Sequence, residues 1–328
     1  MVATSLWVTT LAVLSSLLPG AVLAQNCHCY LTNGTTPKYF VNHKFFDFRN
    51  IANPRVPPVI NSFSGAANAG VTHPYFNTTA FTNTWALQSW ASNGTVANTY
   101  SKNDVYIQQN TDSKANSKTF MTLRTYRHPA SNGNFQESAE FDTVSPNYRY
   151  VSMRMYARVQ AAKGGVAAMF TYRGGATAAD VQEADVEILT REATNEINYT
   201  NQPSQVGGVA RPNATAEVAI PGVWSNWRVH RYDWTPGASN WYVDGKLVNS
   251  NKFQAPVDPA TLIFNTWSDG GSWSGLMAAG QQALMQVQWI QLIYNNTDFP
   301  SKYAHCANVC SLDRGNTIGT PVVISSGP

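Results

Sequence analysis

The sequence predicts an all-β protein folded as a sandwich of two sheets. Three observations carry this: apolar and polar residues alternate with period two in several segments, turn-forming clusters separate those segments, and long amphipathic helical patterns are missing. The clearest alternation runs over 151–159, where Val151, Met153, Met155, Ala157 and Val159 are apolar and Ser152, Arg154, Tyr156 and Arg158 stand between them. Segments 119–127, 165–172, 226–234, 241–248 and 283–294 favour the β-branched and aromatic residues that suit a pleated surface. Asp244-Gly245 interrupts the fourth of these; the pair accepts the positive φ angles of a type I′ turn, so a tight hairpin is expected there.

The ends and the longest connection read differently. Residues 1–24 form an apolar run closed by Val22-Leu23-Ala24, the pattern of a secretory signal cleaved before Gln25. Residues 25–316 are expected to form one catalytic β-sandwich domain, because sandwiches commonly run to 200–250 residues as a unit and no linker divides the chain. Stretch 52–74 is rich in Pro, Gly, Ala and Asn and reads as a surface loop, and 317–328 reads as a flexible C-terminal tail.

Composition narrows the function. Charged residues make up 12% of the chain, against about 25% in a typical soluble domain. The formal charge is only +3 and no basic run occurs, which excludes the electrostatic footprint of a nucleic-acid binder. No segment after the leader approaches the roughly 20 apolar residues of a membrane helix, so a secreted monomer, extracellular or in a cell wall and without a membrane anchor, is expected. N-x-[ST] sequons at Asn33, Asn77, Asn93, Asn198, Asn213 and Asn295 fit that route as glycosylation sites. So do Cys27, Cys29, Cys306 and Cys310. A Cys27–Cys29 bridge closes too tight a loop, so two disulfides join the termini in either of two registers.

The chemistry concentrates in VQEADVEILT. Along a strand Ala184, Val186 and Ile188 point one way and Glu183, Asp185 and Glu187 the other. Three like charges at alternate positions repel and raise the pKa of at least one member. Glycoside hydrolysis uses such an arrangement, because it needs one ionised carboxylate and one protonated carboxyl beside the scissile bond. On a straight strand the Cα atoms of Glu183 and Glu187 would stand about 13 Å apart, which by itself favours the wider carboxyl spacing of an inverting enzyme. Aromatic residues follow the acidic strand at Trp224, Trp227, Trp234, Trp241, Trp267 and Trp273, offering flat faces for sugar rings. In FNTWSDGGSWSG, Asn265 and Trp267 share a face, an amide beside a stacking surface.

The segments VAAMFTYRGGATAADVQEADVEIL, WRVHRYDWTPGASNWYVDGKLV and FNTW together resemble glycoside hydrolase family 16. The resemblance implies a concanavalin A-like β-jelly roll of two antiparallel sheets and a retaining endo-β-1,3(4)-glucanase. It assigns Glu183 as nucleophile, Glu187 as general acid/base and Asp185 as their assistant, with sheet curvature closing the gap between the two glutamates. Asn265, Trp267, Trp234, Tyr172 and His230 are the expected substrate-binding residues, His230 with a purely structural role as its alternative. No cofactor and no metal ligand are expected; calcium held by the acids is the competing reading. Alternative functions are a cell-wall glucan transglycosylase, a hydrolase of another β-linked polysaccharide such as β-1,3-galactan, and a non-catalytic lectin-like protein.

Overall fold

The computed structural model of the chain describes residues 26–35, 38–298 and 306–326; the expected leader lies outside them. The strands that the alternation predicts are present. Thr119–Arg127, Tyr148–Ala161, Val166–Arg173, Arg228–Thr235 and Gln282–Asn296 cover or overlap the expected segments. Ala238–Val243 and Lys246–Asn251 form the expected hairpin, with φ of 49° at Asp244 and 78° at Gly245.

Two antiparallel layers result. The front sheet runs in the order Trp85–Leu87, Gln136–Thr143, Thr261–Trp267, Val166–Arg173, Gln182–Leu189, Glu196–Gln202 and Thr215–Ala219. The back sheet runs from Lys246–Asn251 through Ala238–Val243, Arg228–Thr235 and Tyr148–Ala161 to Gln282–Asn296. That last strand is long enough to pair with Thr119–Arg127 along one half and Asn42–Asp47 along the other. Apolar alternates from both layers meet between them: Ala184, Val186, Ile188, Met169 and Phe264 from the front, and Met153, Met155, Tyr232, Trp234 and Trp241 from the back. The fold is the jelly-roll sandwich that the sequence predicts.

The termini form a third, smaller sheet. Cys29–Leu31 pairs with Tyr39–Phe40 and lies parallel to Asn308–Ser311. Disulfides Cys27–Cys310 and Cys29–Cys306 fix one of the two expected registers and close loops spanning sequence separations of 283 and 277. The expected flexible tail requires correction, because Val322–Ser326 is a strand hydrogen-bonded to Asn308–Ser311 and thus part of this clamp.

Two of the glycosylation expectations also change. Asn33, Asn77, Asn93 and Asn213 are exposed, whereas Asn198 and Asn295 are only 3% and 5% exposed. Asn198 Nδ2 donates to Glu192 Oε2 at 2.7 Å, and Asn295 Nδ2 donates to the Tyr39 carbonyl at 3.2 Å. The nitrogen that would carry a glycan is buried and bonded at both positions, since the sequon pattern says nothing of which way a strand residue faces.

Candidate active site

Strand register brings the acidic residues into cross-strand rows. Glu187 stands opposite Ala168, which stands opposite Asn265, which stands opposite Glu140. In the next row Asp185, Phe170, Ile263 and Asp142 are aligned in the same way. Glu183 lies between Tyr172 and Gln202 on its two neighbouring strands. Strands lie about 4.8 Å apart, so Glu187 and Glu140 face one another across roughly 14 Å of sheet. Ala168 supplies no bulk in that row, and a cleft of about 540 Å³ opens over it. Trp90, Tyr100, Trp267 and Asp269 contribute to its walls.

Hydrogen bonds orient the far wall. Trp90 Nε1 donates to Glu140 Oε1 at 2.8 Å, and Asn265 Nδ2 donates to Glu140 Oε2 at 3.1 Å. Trp90 also stacks on Tyr100 with ring centroids 4.2 Å apart, leaving an exposed indole at the rim. Asn265 Oδ1 is buried without a partner, an acceptor available to a ligand hydroxyl.

The acids are electrostatically unusual. Glu140, Asp142, Glu183, Asp185, Glu187 and Asp269 all line the cleft, and among the described residues no Lys, Arg or His does. Burial pushes Glu183 up to about 7, opposed by a hydrogen bond with Asp185. Asp185 is 2% exposed; burial, reinforced by the charges of Glu183 and Glu187, raises it well above the usual carboxylate range. Gln202 Nε2 donates to Asp185 Oδ2 at 3.2 Å. Glu187 is likewise pushed up to about 7 by burial, against the opposing N–H of Trp273, which donates to Oε1 at 3.1 Å. Asp142 rises to about 7 through burial and the nearby Glu140 charge.

The structure brings together Glu183, Asp185, Glu187, Asn265, Trp267 and Tyr172, and separates two expected residues from them. Trp234 is fully buried, packs in the core and donates Nε1 to the Pro256 carbonyl at 2.7 Å. His230 is 1% exposed, with both ring nitrogens unpartnered and burial pushing it down to about 4. Neither binds substrate in the cleft, because Arg228–Thr235 belongs to the back sheet and His230 and Trp234, like Tyr232 between them, are buried on its inner side. Of the other tryptophans, Trp224 and Trp241 are core residues. Trp227 stacks under Arg158 and bonds Asp112. Sequence reading missed Trp90, Tyr100, Glu140, Asp142 and Asp269; the alternating acids in SAEFDT were the available signal for the middle pair.

An acid-lined, aromatic-edged cleft on one face of an antiparallel jelly roll defines a carbohydrate-active enzyme. The chain belongs to the glycosyl hydrolases of family 16, whose family model matches residues 81–291, and it is a glycoside hydrolase. It is 26% identical to a β-glucanase of Paenibacillus macerans over 224 residues, 67% of this chain and 86% of that protein. A β-glucanase of Acetivibrio thermocellus is 29% identical over 196 residues, 58% of this chain and 53% of that one. Among solved structures, the β-glucanase of Bacillus licheniformis superposes with a TM-score of 0.51 at 23% identity, covering 66% of this chain and 93% of that one. A β-1,3-1,4-glucanase from a mouse hindgut metagenome gives 0.52 at 16% identity, over 78% and 99%. These two likenesses speak to the fold. The disulfide-bonded terminal sheet lies outside the matched stretch.

Proposed function

We propose that the protein is a secreted, monomeric, retaining endo-β-glucanase that cleaves β-1,3- or mixed-linkage β-1,3(4)-glucan without a metal or organic cofactor. The observation that carries this reading is the acid row, in which Glu183, Asp185 and Glu187 line one cleft, burial pushes all three upward, and the Trp273 N–H holds Glu187 Oε1. Glu183 attacks the anomeric carbon as Glu187 gives its proton to the departing glycosidic oxygen, forming a glycosyl ester on Glu183. Glu187, now ionised, takes a proton from a water that attacks the same carbon, and Glu183 is released as carboxylate.

The substrate assignment follows the named β-glucanase relatives and the acidic lining of the cleft, which has no cation among the described residues and so disfavours uronates and sulfated sugars. Trp90 and Trp267 supply stacking faces, and Asn265 and Glu140 supply groups for sugar hydroxyls. The leader pattern and the two disulfides support secretion.

A panel of β-1,3-glucan, mixed-linkage glucan, β-1,3-galactan and carboxymethylated glucan, digested by the parent and by Glu183→Gln, tests the proposal. The parent should shorten the neutral glucans and the variant should cleave none while keeping its fold. Full activity in the variant rejects the assignment, and products longer than the substrate would assign glycosyl transfer instead.

A further inference from the structure

Trp273 stands in an unusual place for a tryptophan. It is 36% exposed, so it does not fill the core. It stands at the edge of the cleft, against Glu187, which lines it. Its polar atom is committed to a single contact, the 3.1 Å hydrogen bond to Glu187 Oε1.

The loop that carries it is tightly built. Asp269 Oδ1 accepts from the backbone N–H of Gly271 at 2.8 Å and from Ser274 Oγ at 2.9 Å, and Ser274 is fully buried. Gly275 N–H closes the turn onto the Gly271 carbonyl at 2.9 Å. Gly270, at φ 71°, takes the left-handed conformation that the turn requires. The neighbouring hairpin of Ala91–Asn93 and Ala97–Tyr100 holds this loop from outside: Val96 N–H donates to the Asp269 carbonyl at 2.7 Å, and a Cβ at Gly94 would fall 2.6 Å from Asp269 Cβ. A loop framed on both sides thus delivers one N–H to one carboxylate oxygen.

We infer that Trp273 is a positioning residue for the acid/base Glu187, fixing Oε1 so that the other oxygen is the one presented to the glycosidic bond. This rests on the reading of Glu187 given above. A donor on Oε1 also favours the ionised carboxylate. It thereby offsets the neighbouring acids, which are Glu183 and Asp185 on the same strand, Glu192 beyond its end, Asp269 in the loop and Glu140 across the sheet.

Trp273→Phe keeps an aromatic ring and removes the N–H at a position outside the core. The expected result is a fall in kcat of about tenfold, the scale of one hydrogen bond to a charged group, with KM little changed. The alkaline limb of the kcat/KM profile should move to higher pH, because Glu187 then holds its proton longer. An unchanged kcat and pH profile would overturn the inference, and so would a raised KM with kcat intact, which would make Trp273 a sugar contact. Glu187→Gln separates the two levels: if that variant is inactive and Trp273→Phe is silent, only the positioning role fails; if it is fully active, the acid/base reading fails first.

Discussion

Charged side chains are buried on both outer faces of the sandwich, and the two groups are built on opposite rules. On the back face Arg154 and Arg231 meet Asp233 and Asp313: Arg231 binds Asp233 at 2.5 Å, and Arg154 binds Asp313 at 2.7 Å. Burial alone would raise Asp313, yet Arg154 and Arg231 hold its carboxyl below the usual range. On the front face six acidic side chains share a cleft with no cation among its described residues, and burial moves Glu183, Asp185 and Glu187 upward. Paired charge joins the terminal clamp to the sandwich through Asn33 and Asp313. Unpaired charge of one sign raises the free energy of the fold, and such a cluster is found where chemistry uses shifted pKa values.

Removing one charge from each face should have opposite effects on stability. Asp313→Asn leaves Arg154 without its carboxylate and beside Arg231, so it should destabilise the protein by about 3–5 kcal/mol, the cost of breaking a buried pair. Chemical unfolding measures this directly; a loss below about 1 kcal/mol would place the pair with ordinary surface bridges.

Glu187→Gln should do the reverse. A carboxyl raised to about 7 when folded, against an ordinary value of 4.5, favours folding fully below pH 4.5 and loses that advantage as pH rises from 4.5 through 7. The shift converts to about 3 kcal/mol at most, and solvent in the cleft over the half-buried group reduces it to about 1–2 kcal/mol. The variant should therefore melt a few degrees above the parent at pH 8 and close to it at pH 4. Equal melting temperatures at both pH values would mean that the acid row is not strained.

The contrast also explains what the sequence could convey. Parity along one strand separated Glu183, Asp185 and Glu187 from Ala184, Val186 and Ile188, because each strand residue's side is a local property. Asp244-Gly245 was legible for the same reason. Parity does not say which of two sheets a strand joins, and this is why Trp234 and His230 were expected in the cleft although their side chains point into the core. Glu140 and Asn265 are 125 residues apart in sequence and hydrogen-bonded in space; only the register of distant strands brings them together. Trp273 reaches Glu187 across 86 residues through a loop shaped by glycines and a neighbouring hairpin, which no periodic pattern encodes.

As the nucleophile of a retaining reaction, Glu183 should become covalently bonded to sugar during turnover. A 2-deoxy-2-fluoro β-glucosyl oligosaccharide with an activated leaving group should accumulate this ester, and mass spectrometry of the proteolysed protein would locate it. One 2-fluoro-oligosaccharyl group is expected on the peptide containing Glu183, absent in Glu183→Gln. A stable adduct on Glu187 or Glu140 would contradict it, as would turnover of the natural glucan with inversion at the anomeric carbon.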